Sequence, residues 1–322
     1  MFERFPINAS DFDGPVLVTG AGGCIGSWTV ALLARAGVEV AVFDLNEDKR
    51  RPGLLMSDAE LAQVRWLTGD IADTKAVMLA AEASQARAII HLAALQVPFC
   101  KADPIAGARV NVVGTVNVFE AARKHGVKRI AYASSVAALG AVEEGAMPTL
   151  YGAYKYCDEQ IARVYWQDWA VPSVGIRPGV VYGVGRDQGM TSKTTVAILA
   201  AAAGKPYTIA YRGGVSWLHA GECAAAFIRA VAAERSGAPV FNMNGVYAPV
   251  EEGVRILKRI APGANIEVSG QAIAFPMDRS DDPLMDYVGD YGRVPLEDGI
   301  RDAFEAFKQL LAAGKISAEK LD

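Results

Sequence analysis

Short apolar runs alternate with stretches of helical periodicity between residues 16 and 177. Six runs have the length and apolar character of buried parallel strands. The segments between several of them place apolar residues three or four apart, as a helix packed on a sheet does. This alternation predicts an α/β fold with a mainly parallel sheet, right-handed crossovers and ligands at the carboxyl ends of the strands. The predicted strands are 16–19, 39–44, 64–70, 88–94, 129–135 and 173–177, and the predicted helices are 25–36, 73–83, 104–124 and 151–169.

A glycine-rich turn joins the first predicted strand to the first helix. Glycine lacks a Cβ, so the backbone of this turn can approach a ligand closely. The free N–H groups and the positive dipole end of the following helix favour an anion there, in particular the pyrophosphate of a dinucleotide. A glycine turn can also be a plain connector between a strand and a helix. The sequence after the turn distinguishes this alternative from a pyrophosphate site. The predicted pyrophosphate contacts are Gly20, Gly23, Cys24, Ile25 and Gly26.

The second strand ends in Asp44, which follows Gly26 by 18 residues. A carboxylate at about this distance from the glycines hydrogen-bonds the ribose hydroxyls of a dinucleotide. Because a carboxylate repels a 2′-phosphate, Asp44 favours NAD over NADP. Arg50 and Arg51 leave NADP open as the less favoured cofactor, and Asp44 also suits a plain strand-end turn.

Later strand ends supply further candidate contacts. Asp70 and Ile71 lie where an acidic side chain and a backbone N–H would hold adenine, although Asp70 also suits a turn. The fourth strand runs through His91 into small residues, which leaves room for a flat ring. His91 itself is expected to be a packed strand histidine. Two asparagines interrupt the apolar face of helix 104–124; Asn111 is expected to bridge backbone groups near the cofactor, and Asn117 is open to solvent exposure as the alternative.

These features together predict a Rossmann-type doubly wound parallel sheet with a smaller C-terminal substrate-binding region. The sheet rhythm stops after residue 183. We expect an NAD-binding domain at 1–183 that is rejoined by about 217–243. Residues 184–216 and 244–295 then form the substrate-binding region, and 296–322 form a closing helix.

Composition narrows the class of protein. Of the 322 residues, 52% are hydrophobic and 21% charged, which is typical of a globular chain with a large core. A net charge of −4 without a long basic run predicts no nucleic-acid partner. No apolar run has the length of a membrane span and no signal peptide is recognisable, so a cytoplasmic location is the default expectation. Four scattered cysteines and three histidines predict free thiols and no metal site.

The candidate chemistry lies at the start of helix 151–169. Tyr151 and Lys155 are four residues apart and therefore share a helix face. A neighbouring ammonium favours the phenolate form of a tyrosine, which then exchanges a proton with an alcohol or carbonyl while a nicotinamide exchanges the hydride. Ser134 and Ser135 end the preceding strand. Tyr154 is the weaker candidate because it has no lysine four residues later.

Taken together, the motifs resemble the extended short-chain dehydrogenase/reductase superfamily, the branch that includes nucleotide-sugar epimerases and dehydratases, over nearly the whole chain. The motifs are Thr19-Gly20-x-x-Gly23-x-x-Gly26, Asp44, Asp70-Ile71, His91-Leu-Ala-Ala94, Asn111 with Gly114-Thr-x-Asn117, Ser134-Ser135, Tyr151-x-x-x-Lys155, Arg177-Pro178 and Val181-Tyr182-Gly183.

The resemblance implies a role for each matching residue. Tyr151 is the acid/base, Lys155 holds the nicotinamide ribose, and Ser135 hydrogen-bonds the reacting oxygen. Ser135 is preferred to Ser134 because the family's catalytic hydroxyl lies five residues before the glycine that matches Gly140. The long helices 104–124 and 151–169 resemble the family's dimer-forming pair, with Val164, Tyr165 and Trp166 as apolar surface. The further implied cofactor contacts are Leu92, Ala93, Ala94, Asn111, Pro178 and Val181.

One position departs from the pattern of nucleotide-sugar members. An arginine that binds the diphosphate is expected just before Trp217-Leu-His219. This chain has Gly213-Gly214-Val215-Ser216 there, and Arg212 is out of register.

Without this arginine, the sequence favours a substrate that has no nucleotide. The predicted function is an NAD-dependent dehydrogenase acting on a secondary or hemiacetal alcohol of a sugar, sugar acid or similar small polyol. A sugar or nucleotide-sugar epimerase or dehydratase is the alternative, and a dinucleotide-sensing protein is the third hypothesis. Candidate substrate contacts are Gln96, Ser134, Arg186 and Trp217, with Arg279 as a further candidate for a carboxylate. Trp217 and His219 are expected to shape either the pocket or the interdomain seam.

Overall fold

The computed structural model describes residues 1–143, 148–272, 279–319 and 321. Within these ranges the strands are β1 (Val16–Thr19), β2 (Val40–Asp44), β3 (Arg65–Thr68), β4 (Ala88–His91), β5 (Arg129–Ala133), β6 (Val174–Pro178), β7 (Val181–Tyr182), β8 (Tyr207–Ile209), β9 (Gly214–His219), β10 (Val240–Met243), β11 (Val246–Pro249) and β12 (Ile266–Val268). The α-helices are α1 (Cys24–Arg35), α2 (Pro52–Leu55), α3 (Asp58–Leu61), α4 (Thr74–Ser84), α5 (Val97–Ala102), α6 (Pro104–Ala108), α7 (Gly114–His125), α8 (Leu150–Trp169), α9 (Lys193–Ala202), α10 (Ala220–Val231), α11 (Val250–Ile260), α12 (Asp282–Val288) and α13 (Leu296–Ala312).

Seven parallel strands form the main sheet in the order β10-β6-β5-β4-β1-β2-β3. The order reverses between β1 and β4, which opens a crevice at the carboxyl ends of these strands. The predicted Rossmann-type fold is confirmed. The six predicted strands all occur, with ends that differ by a few residues.

Both faces of the sheet are buried at its central strands β1, β2 and β4, which explains the uninterrupted apolar runs there. Val16 and Val18 of β1 pack with Trp28 of α1 in one core cluster. Leu17, between them, packs with Phe119 of α7 in the cluster on the opposite face. Alternate side chains of a strand point to opposite faces, so a strand covered on both sides needs apolar residues at every position.

Helix ends follow from individual residues. The Asp73 side chain accepts hydrogen bonds from the N–H groups of Lys75 and Ala76 and caps α4 at the predicted position. The predicted helix 104–124 is continuous but not regular, because Arg109–Val113 form a π-helical segment between α6 and α7. A π segment shifts the side chains that follow it around the helix axis, which periodicity alone does not reveal.

The chain after β7 forms two smaller sheets beside the main one. β9 pairs with β7 and β11, and β8 pairs with β12. The chain returns to the main fold through α10, which packs on α1, and through β10, which pairs with β6. Trp217 to His219 thus belong to the small β7-β9-β11 sheet, whereas residues 240–243 belong to the main sheet. No helix within the described ranges is both long and apolar enough to cross a membrane.

Glu222 in α10 is a buried carboxyl whose protonation is coupled to stability. Its side chain is 1% exposed and accepts a hydrogen bond from the Val294 N–H. Burial raises the pKa of Glu222 to about 8, and Asp281 adds to this effect while Arg293 opposes it. The folded state therefore binds a proton that the unfolded chain releases near its ordinary pKa of about 4.5, so this group's contribution to stability falls as pH rises from about 4.5 to 8.

Glu222→Gln should stabilise the protein at alkaline pH, because glutamine keeps the acceptor and cannot ionise. The difference in unfolding free energy from the unmodified protein should be small at pH 5 and about 4 kcal/mol at pH 8. Urea unfolding at both pH values measures it. The matched control is Glu305→Gln, which changes an exposed carboxyl paired with Lys308. An equal effect of Glu222→Gln at both pH values would contradict a buried titrating carboxyl.

Candidate active site

The glycine turn places the N-terminus of α1 at the crevice between β1 and β4. Gly26 packs so closely on the turn that a Cβ there would lie 2.2 Å from the Gly20 carbonyl oxygen. The first N–H groups of α1 have no intrahelical acceptor and face a region where an anion is stabilised. Burial raises the pKa of the Cys24 thiol to about 12, so this side chain adds no negative charge beside an anion.

Two acidic side chains mark the ends of β2 and β3. The Asp44 carboxylate accepts hydrogen bonds from the N–H groups of Gly22 and Leu45, both at 2.8 Å, and lines the cavity beside the glycine turn. Asp70 accepts from the Ala72 N–H at 2.8 Å, and Ile71 beside it also lines the cavity. Each carboxylate retains oxygen lone pairs, as binding of ribose hydroxyls or an adenine amino group requires.

The segment that follows β7 crosses the N-terminus of α1. The Trp28 indole N–H donates to the Val184 carbonyl at 2.9 Å. Arg51 donates to Gly22 O at 2.7 Å and pairs with Asp187, with Nη2 2.7 Å from Oδ1. This segment therefore forms one wall of the crevice over the glycine turn.

The proposed catalytic tyrosine lies at the first turn of α8. Thr149 caps this helix by accepting from the Gly152 N–H at 2.9 Å. Gly152 permits close packing on the turn after β5, since a Cβ there would lie 2.2 Å from the Ala137 carbonyl oxygen. Ser135 begins that same turn and accepts from the Ala137 N–H at 3.1 Å. The contact brings Tyr151 and Ser135 to one end of the cavity, which both residues line.

Neighbouring side chains distinguish these candidates from their alternatives. The Tyr154 hydroxyl donates to the Pro104 carbonyl at 2.9 Å, and Tyr154 is not among the cavity-lining residues. The Ser134 hydroxyl donates to Glu159 at 2.5 Å, whereas the Ser135 hydroxyl makes no such contact with a carboxylate within the described chain. The hydroxyl groups of Ser135 and Tyr151 are therefore available to a ligand in the cavity.

Glu159 ties together three elements beneath the site. Its carboxylate accepts the Ser134 hydroxyl and a bidentate pair of bonds from Arg177, at 2.7 and 2.6 Å. The Glu159 side chain is 3% exposed. Hydrogen bonding to Glu159 raises the pKa of Arg177, so the guanidinium stays charged. The pair fixes α8 against the ends of β5 and β6.

Lys155 is buried in a polar network. Its ammonium lies 3.3 Å from Asp158 Oδ2, and the two side chains are 2% and 0% exposed. Burial raises the pKa of Asp158 to about 6. His91 bridges the Thr19 hydroxyl at 2.7 Å and the Thr115 hydroxyl at 3.1 Å, and burial lowers its pKa to about 3. His91 is therefore a neutral, packed strand residue, as expected.

One cavity of about 880 Å³ contains nearly all of the predicted site residues. Its size is at the upper end for ligand pockets, as a site for a dinucleotide and a second molecule requires. The glycine turn, Asp44 and Tyr151 all contribute to its wall, so the residues present fit a bound NAD. The predicted residues that line it are Gly20, Gly23, Cys24, Ile25, Gly26, Asp44, Asp70, Ile71, Leu92, Ala93, Ala94, Gln96, Ser134, Ser135, Tyr151, Lys155, Pro178, Val181 and Arg186.

Asn111 does not line the cavity and acts one layer behind it. It is fully buried in the π-helical segment, accepts from the Leu95 N–H at 2.7 Å and donates to the Leu95 carbonyl at 3.0 Å. Asn111 therefore bridges backbone groups as predicted. Because it does not reach the cavity, the predicted direct contact between Asn111 and the cofactor is wrong. Solvent exposure was the alternative expected for Asn117, but this residue is buried and donates to the Ile71 carbonyl at 2.9 Å.

Trp217 is also corrected, because it lies in the core and not at the cavity. It is 3% exposed, its ring centroid is 5.5 Å from that of Tyr182, and α11 packs against its face at Gly253. Sequence position alone placed it near the substrate. The pleat of β9 instead directs its ring into the core cluster that also contains Tyr182 and Trp28.

Several carboxylates at or beneath the site lay outside the predicted set, among them Glu143, Asp158 and Glu159. Glu143 lines the cavity and binds Arg279, with Nη2 2.6 and 2.7 Å from its two oxygens. Asp158 and Glu159 lie on α8 three and four residues after Lys155. The helical spacing of Tyr151, Lys155 and Glu159 on one face was the signal that would have identified Glu159.

The strand order and the glycine turn at the N-terminus of α1 define a Rossmann-class dinucleotide-binding protein. A model of the NAD-dependent epimerase/dehydratase family matches residues 16–244. The chain belongs to this family, which lies within the extended short-chain dehydrogenase/reductase superfamily, and the predicted cofactor agrees with the family's own, NAD.

Curated relatives of this chain are UDP-glucose 4-epimerases. The protein from Bos taurus is 34% identical over 166 residues, which are 46% of this chain and 47% of the relative. The protein from Mycolicibacterium smegmatis is 34% identical over 183 residues, covering 53% and 57%. The chain thus spans about half the length of the curated relatives it matches.

Solved structures extend the likeness across the fold. The Thermus thermophilus UDP-glucose 4-epimerase, solved with NAD, is 27% identical, with a TM-score of 0.76 over 91% of this chain and 99% of that one. The Clostridium difficile L-threonine dehydrogenase has a TM-score of 0.79 over 92% and 98%, at 19% identity. The second likeness concerns the fold alone.

Proposed function

We propose that the protein is an NAD-dependent epimerase that inverts a carbinol centre of a carbohydrate-like substrate. The observation that carries this proposal is the single cavity shared by the glycine turn, Ser135, Tyr151 and Lys155. The UDP-glucose 4-epimerase relatives support epimerisation over the dehydrogenase hypothesis that the sequence favoured. The proposed substrate-binding region comprises 184–216 and 244–295, of which residues 273–278 lie outside the described residues.

NAD would lie along the carboxyl ends of β1, β2 and β4. The N-terminus of α1 would hold the pyrophosphate, Asp44 the adenosine ribose and Asp70 the adenine. Lys155 would hold the nicotinamide ribose, with Pro178 and Val181 near the carboxamide. When bound, NAD would reversibly accept a hydride from the substrate carbon that carries the reacting oxygen.

Tyr151 would hold and release the proton of the reacting oxygen. In the oxidising direction its phenolate accepts the hydroxyl proton, and in the reducing direction its phenol returns it. Lys155 lies one helical turn after Tyr151 in α8, so in the proposed reaction its positive charge would face the reacting oxygen from the same side of the helix. Ser135 donates a hydrogen bond to the same oxygen and fixes its position.

A dehydrogenase acting on a free sugar or sugar acid is the second candidate, because one observation favours a substrate without a nucleotide. Arg212 donates to the Val268 carbonyl at 3.1 Å and is not among the residues lining the cavity. Ser216, in the stretch where that arginine is expected, donates to Asn244 Oδ1 at 3.1 Å instead. The diphosphate anchor is therefore absent from β9 in the described structure.

The proposal is tested by mixing purified protein and NAD with sugars, sugar acids and nucleotide sugars. Formation of a new diastereomer without net NADH supports the epimerase. Stoichiometric NADH supports the dehydrogenase in its place. Neither product on any member of the panel contradicts both and favours a non-catalytic dinucleotide sensor.

We also propose a homodimer formed through α7 and α8. Val164 and Trp166 on α8 are 45% and 37% exposed. Tyr165, expected on the same surface, is instead buried and donates to Glu120 at 3.0 Å. Light scattering should give twice the 34.1 kDa chain mass, and Val164→Arg should reduce it toward one chain. A monomeric mass for the unmodified protein would exclude the dimer.

A further inference from the structure

Within the described part of the chain, four basic side chains line the cavity, and three of them are paired with carboxylates. Arg51 pairs with Asp187, Lys155 with Asp158, and Arg279 with Glu143. Arg186 is the exception among the described residues. Its hydrogen-bond partners are neutral, so its charge has no carboxylate partner among the residues that the structure describes.

The Arg186 guanidinium is held in place with donors to spare. Nη1 lies 3.4 Å from Gln96 Oε1, and Nη2 lies 3.1 Å from the Thr191 hydroxyl. Nε is buried and has no hydrogen-bond partner in the described structure. A guanidinium has five N–H donors, and only two are used here. Leaving a buried cationic donor without an acceptor is costly, so this arrangement is one that an anionic ligand completes.

The two neutral partners hold the guanidinium at the cavity wall. Gln96 directly precedes α5, and its carbonyl accepts the N–H groups of Phe99 and Cys100, both at 3.0 Å. Thr191 precedes α9, in a turn where the Ser192 hydroxyl donates to the Gly189 carbonyl at 2.9 Å. Both partners belong to ordered helix starts, so little conformational entropy is lost when an anion binds.

We infer that Arg186, Gln96 and Thr191 form a subsite for a carboxylate carried by the substrate, which makes a sugar acid the substrate class. The planar guanidinium fork matches a planar carboxylate in a bidentate arrangement. One uncompensated positive charge matches one carboxylate. A diphosphate would bring more negative charge than the single guanidinium of Arg186 neutralises. This inference rests on the proposed function for the identity of the site, and it holds for either the epimerase or the dehydrogenase.

The test measures binding of matched carboxylate and neutral sugars to the NAD-loaded protein by calorimetry. The probes are D-galacturonate with D-galactose, and D-glucuronate with D-glucose. At least one carboxylate should bind the unmodified protein more tightly than its neutral counterpart. Arg186→Ala should weaken that binding by about 10-fold to 100-fold, because a charge-assisted pair is lost, and Arg186→Lys should restore part of it. Affinity for the neutral sugars should not change.

The matched control is Arg301→Ala, which removes one positive charge from α13, where Arg301 pairs with Glu297. It should leave all affinities unchanged. Equal binding of carboxylate and neutral sugars by the unmodified protein would overturn the inference. So would an Arg186→Ala variant that loses affinity for NAD alone, because the anion at Arg186 would then be the cofactor's pyrophosphate. Binding is measured without turnover, so a failure of the proposed reaction leaves this result interpretable.

Discussion

Tyr151→Phe should lower kcat by about 10³-fold while the protein still binds NAD with unchanged affinity. The substitution removes only the hydroxyl that exchanges a proton with the substrate oxygen. Lys155, which would contact the nicotinamide ribose, and the glycine turn at α1 are untouched. Steady-state kinetics on the substrate that the panel identifies gives kcat, and calorimetry gives the dissociation constant for NAD.

Tyr154→Phe is the matched control for this variant. Tyr154 lies three residues further along α8, and its hydroxyl donates to the Pro104 carbonyl away from the cavity. Its loss should leave kcat within about twofold, since the removed hydrogen bond contributes only to stability, by about 1 kcal/mol. A Tyr151→Phe variant that keeps a tenth or more of the activity would exclude Tyr151 as the acid/base.

The sequence predicted the main sheet because burial on both faces leaves a strong local signal. Val16 to Thr19 are apolar or small at every position and end at the glycine turn, and Asp44 ends the neighbouring strand. The local sequence was enough to predict this part of the site, because the strand ends determine which side chains reach the crevice. The predicted contacts around α1, β2 and β4 accordingly line the cavity.

The residues that sequence reasoning misplaced depend on contacts between distant segments. Asn111 lies in a π-helical segment, which rotates it onto the Leu95 backbone. Trp217 is buried because β9 pairs with β7 and β11, a register that periodicity does not encode. Arg279 was a candidate cation, yet its charge is compensated by Glu143, 136 residues away. Charge compensation across the fold therefore decides which arginine remains available to a ligand.

Glu159→Gln should lower the unfolding free energy by about 3 kcal/mol and reduce kcat by about 10-fold or more. The Glu159 carboxylate is the common acceptor for Ser134 and Arg177 beneath the cavity. The variant leaves the Arg177 guanidinium, 17% exposed, without its anion. It also loosens the end of β5, and the Ser135 hydroxyl moves with it. Urea unfolding and steady-state kinetics measure the two effects.

Glu297→Gln is the matched control, because Glu297 pairs with Arg259 and Arg301 on the surface, where its side chain is 44% exposed. Exposed pairs of this kind contribute little to stability, so this variant should differ little from the unmodified protein. Arg177→Met added to Glu159→Gln should recover part of the lost stability, because neither buried charge then remains unpaired. If Glu159→Gln is as stable as the control, the buried pair does not hold β5, α8 and β6 together. A Glu159→Gln variant that is stable but slow would show that Glu159 positions Ser135 without contributing to stability.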